Sequence, residues 1–145
     1  MNNDYMDRAI ELSKIGIDNG GGPFGAVIVR NDEIIAEAHN TVTLDNDPTA
    51  HAEINAIRKA ARLLGRFDLS DCEIYSSCEP CPMCLSAIYW AKIKTVYYVN
   101  TRFDAAKIGF SDEFIYNELC VDDSNKQIKM IQLENNNALD VFAEG

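Results

Sequence analysis

The 145-residue sequence has no apolar run approaching the ~18 residues that a membrane-crossing helix needs, so no membrane partner is expected. Its first residues, Met1-Asn2-Asn3-Asp4-Tyr5, lack the basic stretch and apolar stretch of a secretory signal, and a cytoplasmic location is expected. Cationic side chains are scarce as well. Thirteen Lys and Arg stand against 23 Asp and Glu, a net charge of −10 with no basic tail or arm. Nucleic-acid affinity rests on Lys and Arg neutralising phosphates, so this balance weighs against a nucleic-acid partner and suits a small, weakly charged substrate. The five cysteines are an odd number, and three crowd together at Cys78, Cys81 and Cys84. That pattern fits metal ligation by reduced thiols better than a disulfide framework. What remains is ordinary for one globular domain spanning 1–145, with 47% hydrophobic and 25% charged residues.

Hydrophobic periodicity predicts a helix over 4–18, stopped by Gly20-Gly21-Gly22-Pro23. Apolar and β-branched runs at 24–29 and 33–40, split by Arg30-Asn31-Asp32, predict a hairpin. Asp47-Pro48-Thr49 resembles a helix entry and predicts a helix over 48–64 ended by Gly65. Further strands are expected at 72–77, 95–100 and 127–133, and further helices at 80–92 and 111–119. Strands alternating with helices make the fold class α/β: a three-layer α/β/α sandwich with a five-stranded mixed sheet. Residues 134–145 follow as a C-terminal tail that is loose or docks on a partner subunit. Arg58, Arg62 and Arg66 form the one basic row, read as a solvated helix face rather than a phosphate site.

The informative residues are His51-Ala52-Glu53 and Pro80-Cys81-Pro82-Met83-Cys84. Cysteines three apart in the first turn of a helix present both sulfurs on one face and can close on one ion. Zinc favours thiolate and imidazole, and three protein ligands with an open fourth position are the arrangement of a catalytic site, so His51, Cys81 and Cys84 are the candidate ligands for one Zn2+ per subunit. Helix N-termini favour anions and lower thiolate pKa values, which supports such a site. Glu53 follows His51 by two positions, about 200° further round a helix, so it is badly placed to chelate and better placed as the neighbouring proton carrier. Other readings stay open at this level. A C-x-x-C pair also serves structural zinc knuckles and redox pairs, and Cys78 or Cys72 is the candidate fourth ligand of a purely structural zinc module.

These residues resemble the zinc-dependent cytidine and deoxycytidylate deaminase superfamily, whose signature reads H-x-E and P-C-x-x-C. The likeness extends to Pro23-Phe24-Gly25 and Asn46-Asp47-Pro48-Thr49-Ala50, and covers most of residues 5–120. Ala87-Ile88-Tyr89-Trp90-Ala91 and the stretch from Asp104 to Tyr116 are most similar to short bacterial guanine deaminases. The resemblance implies a cytidine deaminase-like fold, hydrolysis of guanine to xanthine and ammonia, and a homodimer with exchanged C-terminal segments. Carried over by position, it implies Glu53 as the catalytic acid and base. Asn40 and the backbone N–H of Ala52 would hold the base, Phe24 and Trp90 would pack against it, and Asp112 would bind near the reacting amine. Phe24 and Trp90 read equally well as core aromatics, and Asp112 as a helix cap beside Ser111. A carboxylate at Asp112 accepts from the N–H groups of guanine, whereas adenine offers a lone pair at ring nitrogen 1.

The resemblance also leaves relatives open: a tRNA adenosine deaminase, or a deaminase of nucleosides, cytosine or triazines. Family members of the guanine type carry a longer tail whose aromatic residue helps close the neighbouring subunit's site. Here the chain reads Val141-Phe142-Ala143-Glu144-Gly145, with no tyrosine after Tyr116. Either Phe142 takes that place or the site is more open.

Overall fold

A computed structural model describes residues 3–145. They form two compact units, one running to Glu113 and the other spanning Phe114–Gly145.

The first unit is built on a four-stranded sheet of order β2-β1-β3-β4, from β1 (Gly25–Arg30), β2 (Glu33–His39), β3 (Cys72–Cys78) and β4 (Val96–Asn100). β1 runs antiparallel to both β2 and β3, while β4 lies parallel to β3, so the sheet is mixed. The parallel step is possible because a helix, α4 (Pro82–Trp90), carries the chain between β3 and β4. Along β1, alternate side chains enter two different cores. Ala26 and Ile28 join Ala52, Ala56 and Ala60 of α3 (Ala52–Leu64) and Ile88 of α4. Val27 and Val29 join Met6, Ala9 and Leu12 of α1 (Asn3–Asp18) and Tyr75 of β3. Helices therefore cover both faces, giving three layers. Tyr75 meets Tyr5 edge-to-face, ring centroids 5.3 Å apart, and stacks on Tyr97 at 4.5 Å.

Small residues let the layers approach. Ala52, Ala56 and Ala60 of α3 are fully buried in the core that β1 and β2 share. A Cβ on Gly25 would run into the carbonyl oxygen of Ala9, so α1 rests directly on the strand that starts there. The N–H of Gly25 donates to Ser77 Oγ at 3.0 Å, which fastens the start of β1 to β3. Gly65, at φ +66°, supplies the left-handed residue that ends α3.

Three expectations need correcting. The fifth strand over 127–133 is absent, because a strand exists only with a partner and this apolar stretch has no ladder among the described residues. The helix expected from 48 begins at Ala52, with His51 as N-cap. The Asp47 carboxylate is engaged instead by the N–H and hydroxyl of Thr49, at 2.8 and 2.7 Å, which makes a turn rather than a helix start. In the first unit, two short helices lie outside the expected elements: α2 (Val42–Asp45) and α5 (Arg102–Lys107). α5 opens on a capping box between Thr101 and Asp104.

Beyond α6 (Glu113–Leu119), the second unit has a short 3-10 turn and α7 (Asn136–Glu144), which starts on the Asn135 side chain. None of its residues is fully buried, and Ile128, Ile131, Leu133, Leu139 and Phe142 are all exposed. No helix among the described residues is long and apolar enough to cross a membrane.

Candidate metal and substrate site

The starts of α3 and α4 converge. His51 caps α3 in extended conformation, with φ −70° and ψ 158°, and its ring does not cap the helix. Cys81 caps α4 and accepts the N–H of Cys84 at 3.5 Å, while Pro82 sits at the first helical position, where no N–H is needed. His51 Nδ1 then stands 3.5 Å from Cys81 Sγ and 3.4 Å from Cys84 Sγ. Tetrahedral zinc, with Zn–S near 2.3 Å and Zn–N near 2.0–2.1 Å, sets an N···S separation of roughly 3.6 Å, so these donors fit that ion without rearrangement.

The electrostatics agree with a cation site. The thiol of Cys81 is pulled down in pKa, first by its hydrogen bond with Cys84 and further by His51. Cys84 is pushed up, because it shares that bond with Cys81 and is buried. The His51 imidazole is raised by Cys81. An imidazole and two sulfurs packed this closely form a donor cluster that a dication would satisfy.

His51, Cys81 and Cys84 are the one group of three such donors brought together among the described residues. Cys78 turns its thiol to the carbonyl of Thr101 at 3.7 Å, and Cys72 turns to Asp71 at 3.5 Å, so neither completes a four-ligand structural site. Burial pushes both thiols up to about 11, which keeps them protonated.

A cavity of about 460 Å³ opens beside these ligands. Glu53 lines it, yet the residue is only 6% exposed, and burial pushes its carboxyl up to about 7. Such a group exchanges protons near neutrality. Phe24, Asn40 and Asp112 line it as well. Asn40 Oδ1 accepts the N–H of Val42 at 3.0 Å, which fixes the amide orientation and leaves Nδ2 as the donor it offers. Asp112 Oδ1 is buried without a hydrogen-bond partner, and desolvation raises its carboxyl pKa. That oxygen caps no helix. Ala52 is fully buried at the first position of α3, and since no side chain caps this helix, what Ala52 can offer is its main-chain N–H.

Trp90 departs from expectation. It is 83% exposed and does not line the cavity. Six residues past Cys84 on α4, it is carried about 9 Å along the helix axis from the metal end. The wall has residues that sequence reasoning left without a role: Phe110, whose ring meets Phe24 edge-on at 5.1 Å and 86°, and Glu79, whose Oε1 accepts the N–H of Arg102 at 2.9 Å. Nothing local in the sequence signals a contact between positions 24 and 110.

Residues 1–100 match the family model for the cytidine and deoxycytidylate deaminase zinc-binding region. The chain is 58% identical over 116 residues to guanine deaminase from Bacillus subtilis (strain 168), covering 79% of this chain and 74% of that one. The crystal structure of guanine deaminase from Bacillus subtilis superposes with a TM-score of 0.96 at 50% identity, covering 99% of this chain and 93% of that one. A tRNA-specific adenosine deaminase from Aquifex aeolicus (strain VF5) is 42% identical over 94 residues, covering 65% of this chain and 62% of the relative.

Proposed function

The chain belongs to the cytidine and deoxycytidylate deaminase zinc-binding family, and on that premise we propose that it is a zinc-dependent aminohydrolase that converts guanine and water to xanthine and ammonia. One observation carries the choice of base: the buried, unpartnered Oδ1 of Asp112 in the cavity that Glu53 also lines. An unpaired buried acceptor costs about 1–3 kcal/mol until a donor arrives, and more when charged. Guanine brings donors at ring nitrogen 1 and at the amino group, whereas adenine and cytosine present a ring-nitrogen acceptor beside theirs. The 58% identity to the Bacillus subtilis guanine deaminase supports the same base.

His51, Cys81 and Cys84 would hold the zinc, which would acidify a water for hydrolysis. Glu53 would accept the proton of the water that attacks carbon 2 of guanine and return a proton to the departing amine. One carboxyl near neutrality serves both transfers. Asn40 Nδ2 donates to the acceptor edge of the base, the Ala52 N–H binds it from the α3 start, and Phe24 packs on its ring. Phe110, edge-on to Phe24, narrows the same slot.

The functional unit is a homodimer with exchanged C-terminal segments. The exposed apolar residues of Phe114–Gly145 support this, since a single chain leaves them in water and a second copy covers them. Trp90 and Tyr89, also exposed, suit such an interface. Reduced thiol ligands suit a cytoplasmic location.

The likeness to a tRNA-specific adenosine deaminase favours a second reading, deamination of adenosine in tRNA. The net charge of −10 opposes it. Zinc-loaded protein offered guanine, guanosine, cytosine, adenine and tRNA in parallel, with ammonia measured, separates the two. Guanine should lead; tRNA leading, with salt-sensitive binding, would install the second reading. Light scattering should give twice the chain mass, and a monomer would remove the exchange.

A further inference from the structure

Asn40 reaches the cavity from the end of β2, and three contacts set its amide. Its main-chain N–H donates to the carbonyl of Phe24 at 3.0 Å, which fixes the backbone that carries the amide, and the side-chain Oδ1 accepts the N–H of Val42 at 3.0 Å. The third contact is steric: the amide lies against the bare Cα of Gly22. A Cβ built there would stand 3.2 Å from Asn40 Cγ and 3.4 Å from both Nδ2 and Oδ1. The other near glycine differs in kind. A Cβ on Gly21 would strike the main-chain carbonyl oxygen of Asn40, so a substitution there disturbs the backbone. Gly22 has no left-handed φ, so alanine meets no conformational barrier there, and its nearest contacts are with the amide.

We propose that Gly22 is a positioning residue: its missing side chain lets the Asn40 amide rest with Oδ1 on Val42 and Nδ2 turned to the substrate, holding the base in register with the metal side. The inference rests on reading Asn40 as a base contact. An added methyl moves the amide by a few tenths of an ångström and weakens that donor, and its nearest atoms all belong to Asn40 rather than to Glu53 or the metal ligands. Binding should suffer and chemistry should not.

The test is a double-mutant cycle on the zinc-loaded, full-length protein with Gly22→Ala, Asn40→Ala and the pair, reading kcat and KM for guanine, zinc content and thermal midpoint. Gly22→Ala should raise KM roughly 3–10-fold, the worth of one hydrogen bond, with kcat, zinc content and midpoint unchanged. It should add nothing once Asn40 is alanine. Wild-type kinetics in Gly22→Ala beside a raised KM in Asn40→Ala would overturn the positioning role and leave the base contact standing. An equal Gly22→Ala effect in both backgrounds, or loss of folded protein, would also overturn it, marking Gly22 as a packing residue. An Asn40→Ala enzyme with wild-type KM would remove the base contact itself, and the inference with it.

Discussion

His51, Glu53, Cys81 and Cys84 stand at two helix starts and satisfy one another: the imidazole faces both sulfurs, and Cys81 accepts the N–H of its own first turn. Phe24, Asn40, Phe110 and Asp112, which line the cavity beside them, come from a strand entrance, a strand end and the segment after α5, and Asp112 Oδ1 is left without a partner. The reacting side is finished by a metal ion alone. The recognising side is finished only by the molecule it recognises, so damage to the first should abolish turnover whatever the substrate, and damage to the second should change which substrate is used.

The sharpest way to break that contrast is Glu53→Gln. Ammonia release should fall on the order of 10²–10⁴-fold, the usual worth of general acid–base catalysis, for every base tested, with zinc content by atomic absorption unchanged. Retained activity would take the proton transfers away from Glu53. Next in size, Asp112→Asn should lower kcat/KM for guanine about 10–100-fold, the value of hydrogen bonds to a charged group, while a base lacking the ring N–H loses much less. Equal losses for both would deny Asp112 its selectivity. Phe110→Ala removes an edge-to-face contact worth about 0.5–1.5 kcal/mol and should raise KM several-fold with kcat kept, as steady-state kinetics would show.

The smallest effect belongs to two ion pairs on one carboxylate outside the cavity. Asp71 binds Arg30 at 2.7 Å and Arg66 at 2.9 Å, and these guanidinium groups hold its carboxyl well below the usual carboxylate range. The folded chain therefore takes up that proton at lower pH than the unfolded chain. The stabilisation is present above about pH 4, the ordinary Asp value, and disappears as the medium becomes more acidic. Asp71→Asn should flatten the acid limb of a plot of thermal midpoint against pH, slightly, because exposed ion pairs are weak. Turnover should not change.

The same contrast explains what could be read from the sequence. The ligands were legible because a spacing of three within one helical turn, and a His-x-Glu at another helix start, are short-range geometry. The strands of the sheet were legible as apolar runs bounded by turns. Residues 127–133 carry the same pattern and form no strand, since pairing is a property of two segments and a periodicity describes only one. The helix start was misplaced at Pro48 because Asp47 has the right chemistry but engages Thr49. Trp90, expected at the site from its company in the sequence, is exposed and does not line the cavity of the single chain. α5 did leave a trace, Thr101 followed three residues later by Asp104. The Phe24–Phe110 pair left none, being a product of tertiary folding alone.

Gly25 bears on how this cavity can be altered. With α1 seated on it from behind and Ser77 gripping its N–H, the strand entrance next to Phe24 has no slack. Natural drift or laboratory selection toward a new base would therefore make little headway at that entrance, where each change is transmitted to a helix. The rim around Phe110, half open to solvent, is where a new preference can be written at low structural risk.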